Sequence, residues 1–148
     1  MNIHGEKARA YFLEGYNCCQ SVFLAFHEDL GLDRETAARL ASSFGGGMGR
    51  LREVCGAVSG MFLAAGLLKG YSDPGDDAGK KAQYELVQEL AGAFREQNGS
   101  IICRELLGLD HQSDVPTPSV RTDQYYAQRP CGDLVASAGA ILADRLGL

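Results

Sequence analysis

The sequence has no excess of positive charge, no long apolar run and no β-type alternation of apolar and polar residues. Its formal net charge is −5, so it lacks the basic surface that neutralises phosphate backbones, and we expect no nucleic acid as a partner. We expect no membrane partner either, because the longest uncharged apolar segment, residues 54–68, is shorter than the roughly 20 residues that span a bilayer. With no signal-peptide-like stretch at the N-terminus, a cytoplasmic protein is predicted.

Short cysteine motifs are also missing, although the chain has five cysteines. Without a CxxC pair there is neither a zinc-ribbon pattern nor a thioredoxin-type redox pair, and without CxxCH there is no c-type haem site. An odd number of cysteines in a reducing compartment is poorly explained by structural disulfides. A chain of 148 residues can bury a core without such staples. Metal binding or redox chemistry therefore explains the cysteines better.

Helix start and stop signals recur along the chain. We predict an all-α, single-domain bundle (residues 1–148) of about six helices, with one long irregular loop before the last helix. Asn17, Asp33 and Ser100 are expected caps, and Pro130 suits a first helical turn. The predicted helices cover 18–30, 34–44, a segment from between 49 and 53 to 68, 77–97, 101–108 and 131–146, with the loop over 109–130.

Four cysteines lie at or near predicted helix starts. They are Cys18, Cys55, Cys103 and Cys131. The free N–H groups and the dipole of a helix N-terminus stabilise a thiolate by roughly 0.3 to 2 kcal/mol, which lowers a thiol pKa by at most about one and a half units. Arginines accompany three of these sites, and they are Arg50, Arg52, Arg104 and Arg129.

Helix termini alone would not hold four thiolates in one pocket. Each pair about 4 Å apart would repel by about 4 kcal/mol at an effective dielectric constant of 20. A bound cation or cluster, retained protons, or disulfides would compensate, and all three states stay open. Cys19 is expected in the core instead, because it shares a helical face with Val22 and Phe23. A bridge from Cys18 to Cys19 is disfavoured, since consecutive Cα atoms are about 3.8 Å apart.

The glycine-rich run GGGMGR, residues 45–50, allows a third interpretation, a cradle for phosphate at a helix N-terminus. The ligand-contacting residues would then be Gly46, Gly47, Gly49 and Arg50. The run matches neither a P-loop nor GxGxxG, and no strand precedes it, so no nucleotide is expected. Gly56 and Gly60 are spaced to let a neighbouring backbone approach closely, and the glycine-lined helices make a homodimer plausible.

Four segments carry the four cysteines in order. They are GYNCCQSV (15–22), GGGMGR with CGAVSG (45–60), SIICRELLG (100–108) and RPCGDLVASAGAIL (129–142). In these segments the chain resembles the C-GCAxxG-C-C family, whose members are regarded as redox-active, over nearly its whole length. The resemblance implies a small helical cytoplasmic protein whose four cysteines form one redox or metal site. A related domain occurs with split-Soret cytochromes c, which implies electron transfer and an iron–sulfur cluster.

The chain departs from the family pattern at two places. It has NCCQSV where NCAQSV is expected, so that Cys19 is an additional thiol. In CGAVSG the cysteine precedes the first glycine, whereas the family name places it after a glycine.

The leading hypothesis is a redox-active site of Cys18, Cys55, Cys103 and Cys131, holding an iron–sulfur cluster or reversible disulfides and serving an unidentified redox partner. The alternative is a non-redox module in which zinc takes the same four thiolates. Neither haem nor a nucleotide is expected.

Overall fold

The structure is a computed structural model that describes residues 2–148, and most of these residues are helical. The helices are α1 (Ile3–Glu14), α2 (Cys18–Ala25), α3 (His27–Leu30), α4 (Arg34–Ala41), α5 (Gly45–Met48), α6 (Gly56–Lys69), α7 (Asp77–Asn98), α8 (Cys103–Leu106), α9 (Asp123–Gln128) and α10 (Cys131–Leu146). No strand occurs within residues 2–148, where an isolated antiparallel bridge joins Val54 to Ile102. The predicted all-α class is confirmed. Of the helices in this part of the chain, none combines the length and apolar character that a bilayer crossing needs.

Helix α2 lies at the centre of the packing, in contact with α1, α4, α6 and α10. Its capping box is complete, because Asn17 accepts from the Gln20 N–H while the Gln20 side chain accepts from the Asn17 N–H. The helix is buried on nearly all sides, as is Phe26 just beyond it. Burying each large apolar side chain stabilises the fold by about 1.5 to 3 kcal/mol. The expected core position of Cys19 is confirmed.

Two glycines set the distance between α6 and α2. A Cβ atom on Gly60 would lie 2.7 Å from the carbonyl oxygen of Cys19, and one on Gly56 would lie 3.1 Å from the Cβ of Cys18. Both positions therefore require glycine for this helix contact. The predicted packing role of Gly56 and Gly60 is confirmed, and the contact it serves lies within the chain.

Helix α1 was not predicted, and its buried face explains why. Asn2 caps it by accepting from two backbone N–H groups, and Gly15 ends it with a left-handed φ of 113°. The residues facing the core include the small Gly5 and Ala8, so the apolar periodicity that reveals a helix is weak. The small residues serve close packing, because a Cβ on Gly5 would lie 2.7 Å from the carbonyl oxygen of Ala136 in α10.

The third predicted helix starts later than expected, at Gly56. The segment before it is held in left-handed backbone conformations at three non-glycine residues, Met48 (φ 68°), Arg50 (φ 67°) and Arg52 (φ 59°). Such residues rarely adopt this conformation, so their sequence gives no sign of it. Cys55 consequently occupies the N-cap position of α6, where the prediction placed it inside the helix.

Three other boundaries differ from the prediction. The first predicted helix divides at Phe26, whose φ of −109° and ψ of 4° separate α2 from α3. Ser100 does not cap α8, which begins at Cys103. The Ser100 hydroxyl instead accepts from the Ile102 N–H and donates to the Glu105 carboxylate. The predicted loop contains the short helix α9, capped by Thr122. There are thus more helices than the six predicted.

Candidate functional site

The four predicted cysteines meet around one cavity of about 330 Å³. Cys18, Cys103 and Cys131 are the first residues of α2, α8 and α10, and Cys55 is the N-cap residue of α6. Cys18 is half-buried and the other three are buried. Residues far apart in the sequence therefore converge because four helices begin at one place.

Cys18 and Cys131 line the cavity from the first residues of α2 and α10, two helices that are in contact. Interaction with the Cys131 thiol lowers the pKa of Cys18 to about 6 against the opposing effect of burial. The backbone of Gly46 and the charge of Arg121 act in the same direction. The interaction with Cys18, together with burial, raises the pKa of Cys131 far above its ordinary value. The opposite directions of the two shifts favour Cys18 as the thiolate of the pair and Cys131 as the thiol.

Cys55 and Cys103 are brought together by the bridge between Val54 and Ile102. The Cys55 N–H donates to the Ile101 carbonyl (2.8 Å), and the Cys103 N–H donates to the Glu53 carbonyl (2.6 Å). Cys55 and Cys103 each follow one residue of the bridged pair, and successive residues of an extended segment face opposite sides. The two cysteines therefore share the side opposite to Val54 and Ile102, and both line the cavity. Burial raises the pKa of Cys55 to about 12. It also raises the pKa of Cys103, although a hydrogen bond from Arg52 opposes this effect.

Arg52 ties the cysteine cavity to the long loop. It is only 3% exposed, and its Nη1 lies 3.5 Å from the Sγ of Cys103 while its Nε donates to Asp114 at 2.8 Å. Arg50 donates to the Val115 carbonyl (2.8 Å). By contrast, Arg104 bonds Glu53 and a backbone carbonyl and is not among the residues lining the cavity. Of the arginines that accompany the cysteines in sequence, three reach the site.

The glycine run forms one wall of the same cavity. Gly46, Gly49 and Arg50 line it, and the positive φ values of Gly46 (69°) and Gly49 (61°) suit residues without a Cβ. Gly47 does not line the cavity but allows a close approach, since a Cβ there would lie 2.6 Å from the Cβ of Cys103. The run therefore shapes the cysteine site, and its use as a phosphate cradle stays a prediction.

Two residues of the site were missed at the sequence level, Arg121 and Tyr125, both of which line the cavity. Arg121 donates to the carbonyl oxygens of Phe12 (2.6 Å) and Tyr16 (2.7 Å), which holds the end of the long loop against α1. No cysteine or cysteine motif lies next to Arg121 in the sequence, so nothing there connected it with the thiols. Its proximity to Cys18 depends on the folded loop alone.

The metal-binding alternatives require a tighter grouping. Within residues 2–148, no three or more His, Cys, Asp or Glu side chains are grouped so as to hold a metal ion. A single zinc ion needs its sulfur ligands about 2.3 Å away in a tetrahedron. The four thiols line a common cavity, which gives the soft donor set of a metal–sulfur site without the closed geometry of a single-ion site.

The fold and the cavity together define a small all-α protein with four cysteines gathered at the starts of four helices. A family model described as "Putative redox-active protein (C_GCAxxG_C_C)" matches residues 16–145, which include all four cavity cysteines. The chain belongs to this C_GCAxxG_C_C family of redox-active proteins. Searches of curated proteins and of solved structures found no match to the chain.

Proposed function

We propose that the protein is a thiol–disulfide redox protein whose reactive pair is Cys18 and Cys131. The single observation that carries the proposal is that these two thiols line one cavity at the first residues of α2 and α10, two helices in contact. A disulfide requires Cβ atoms about 3.5 to 4.5 Å apart, and the proposal requires the two side chains to reach this separation. The redox-active family supports the same reading. In the cytoplasm that the sequence predicts, the resting state would be the dithiol.

The reaction begins at Cys18, whose lowered pKa makes it the thiolate. Its sulfur attacks one sulfur of a disulfide substrate, the substrate S–S bond breaks, and the leaving thiolate takes a proton from water. Cys131 then loses its proton and attacks the Cys18 sulfur, which releases the second substrate thiol and forms the Cys18–Cys131 disulfide. The substrate gains two electrons and two protons in total. The protein supplies both electrons and the Cys131 proton, and water supplies the other proton. A thiol reductant reverses the sequence.

Cys55 and Cys103 support this chemistry by staying protonated. Burial raises both pKa values, so neither adds a second negative charge beside the Cys18 thiolate. This arrangement resolves the repulsion that four thiolates in one pocket would suffer. The two thiols also provide a neighbouring dithiol that can exchange with the Cys18–Cys131 disulfide.

Trapping variants test the proposal. In the Cys131→Ser variant, a small uncharged disulfide such as bis(hydroxyethyl) disulfide should leave a stable adduct on Cys18, because the resolving thiol is absent. The Cys18→Ser variant should form adduct at Cys131 much more slowly, because burial still raises the pKa of that thiol. The matched control is Cys19→Ala, which removes the neighbouring core thiol and should still form the Cys18–Cys131 disulfide. Intact mass and peptide mapping read all three, and an adduct that forms on Cys131 but not on Cys18 would overturn the assigned roles.

An iron–sulfur cluster is the second candidate, favoured by the four thiols that line one cavity of about 330 Å³. Cys18, Cys55, Cys103 and Cys131 would hold it, and it would supply one-electron transfer at a potential tuned by nearby N–H groups and charges. A zinc site would use the same residues and would require them to move closer together. Anaerobic purification followed by metal analysis and a visible spectrum decides among them. Iron with acid-labile sulfide would replace the dithiol proposal, stoichiometric zinc would support the metal module, and metal-free protein agrees with thiol chemistry.

A further inference from the structure

The cysteine cavity carries positive charge although the chain as a whole is acidic. Apart from the Cys18 thiolate, its charged lining residues are all arginines, namely Arg50, Arg52, Arg121 and Arg129. None of the 19 Asp and Glu residues, all of which fall within residues 2–148, lines it. In a chain with net charge −5, such a separation of charge gives the cavity a field that attracts anions.

The arginines differ in how far the protein neutralises them. Arg52 forms an ion pair with Asp114 at 2.8 Å, and Arg50 reaches the same carboxylate at 4.0 Å. Arg121 uses both of its terminal nitrogens on backbone carbonyls. Within residues 2–148, Arg129 has neither a carboxylate partner nor a side-chain hydrogen bond, and its guanidinium lies 5.5 Å from the ring centroid of Tyr125. Its hydrogen-bond donors are therefore free for a ligand.

The rest of the cavity wall suits a small molecule with a short apolar stem. Large apolar and aromatic side chains also line the cavity, and they are Leu106, Leu107, Pro116, Pro118, Tyr125 and Leu134. The volume of about 330 Å³ lies at the small end of the range for small-molecule sites, about 300 to 1,000 Å³. A folded protein would not fit such a space, whereas a molecule of a few bonds between its sulfur atom and its charge would.

We propose that this cavity selects a low-molecular-weight disulfide or thiol that carries a carboxylate, with Arg129 binding the carboxylate and the Cys18–Cys131 pair facing the sulfur. Arg129, Cys18 and Cys131 line the same cavity of about 330 Å³, which places the guanidinium and the thiols within reach of one small molecule. The planar guanidinium binds a carboxylate through two parallel hydrogen bonds. The inference deepens the proposed redox function, which supplies the reaction at sulfur.

Binding of redox-inert analogues tests the anion site without relying on any reaction. Titration calorimetry of the reduced protein with thiodipropionate, a thioether dicarboxylate, should give saturable binding, and thiodiglycol, its uncharged counterpart, should bind at least about tenfold more weakly. Arg129→Gln should weaken the dicarboxylate by about tenfold. The matched control is Arg34→Gln, since Arg34 also stacks on a tyrosine (5.0 Å from the Tyr11 ring centroid) but lies away from the cavity. Equal affinity for the two analogues, or no binding of either, would overturn the inference even if Arg129→Gln failed to fold.

A series of disulfides of matched size then separates this inference from the proposed function. The wild-type protein should be oxidised fastest by anionic dithiodipropionate, more slowly by bis(hydroxyethyl) disulfide and slowest by cationic cystamine. In Arg129→Gln the differences among the three oxidation rates should be smaller. Equal rates with all three would contradict the anion selectivity and leave the dithiol chemistry standing. Selective binding of thiodipropionate without any Cys18–Cys131 disulfide would contradict the dithiol chemistry and leave the anion site standing.

Discussion

At the scale of single residues, the main influence on the Cys18 thiol is its neighbour Cys131. Interaction with Cys131 lowers the pKa of Cys18 more than the nearby backbone N–H groups or the charge of Arg121 do. The sequence predicted that helix starts would favour thiolates, and this influence is too small to decide which thiol ionises. The pairing with Cys131 is therefore our reason for proposing Cys18 as the nucleophile.

The pH dependence of alkylation follows from the lowered pKa of Cys18. Because its pKa is lowered to about 6, Cys18 should lose its proton as the pH rises through about 6 and react with iodoacetamide above it, while Cys55, with a pKa of about 12, stays unreactive. In Cys131→Ala the midpoint should move upward by at least about one pH unit, since the donor is gone. Alkylation rates by mass spectrometry from pH 5 to pH 9 measure the midpoint.

The control for this titration is Cys19→Ala, because Cys19 is buried outside the cavity and does not set the pKa of Cys18. Its midpoint should match that of the unmodified chain. A midpoint near the ordinary thiol value of about 8.5 in the unmodified chain would contradict the assignment of Cys18 as the thiolate.

At the scale of elements, the site exists because four chain segments start helices at the same place. The sequence located these starts through Asn17 and Pro130, and the four cysteines occupy or adjoin the first positions as predicted. The convergence was expected from the family resemblance. The spacing of the cysteines could not show it, since it depends on packing between distant helices. The backbone conformation of the segment before Cys55 could not be predicted for another reason. Arg50 and Arg52 have left-handed conformations and contact the loop around Asp114, and no local propensity indicates these conformations.

Packing of α6 against α2 should be intolerant of a single added methyl group. Gly60→Ala places a Cβ 2.7 Å from the Cys19 carbonyl oxygen, so the helices must separate, and we expect a loss of about 1 to 3 kcal/mol in the free energy of unfolding. Gly66→Ala is in the same helix but has open space around the new Cβ. This substitution should raise the free energy of unfolding by about 0.5 to 1 kcal/mol. Urea denaturation followed by circular dichroism measures both. Equal effects of the two substitutions would contradict the close α2–α6 contact.

At the scale of the whole molecule, the reactive pair joins two helices from opposite ends of the chain. Cys18 is near the N-terminus and Cys131 opens the last helix, so a disulfide between them closes a loop that includes most of the protein. The all-α class was predictable from helix punctuation. Helix α1, whose small buried residues conceal it, and Arg121, whose role depends on the folded loop, were not.

Oxidation should therefore stabilise the fold. Closing a loop of about 100 residues lowers the entropy of the unfolded chain by an amount worth up to about 4.7 kcal/mol, so the oxidised protein should unfold at a clearly higher urea concentration than the reduced one. In Cys131→Ser the oxidant should not produce this difference, because the bridge cannot form. Lower stability of the oxidised protein would contradict this expectation, since it would mean that the disulfide strains the contact between α2 and α10.

The proposed function requires that Cys18 and Cys131 interconvert between dithiol and disulfide. Peptide mapping of the unmodified protein, after equilibration in a series of oxidising and reducing thiol buffers, tests this requirement. We expect one principal cross-linked peptide, joining Cys18 to Cys131, that forms and disappears reversibly while Cys19 stays a free thiol throughout. Persistent free thiols at Cys18 and Cys131 in the most oxidising buffer, or a principal bridge between other cysteines, would contradict it.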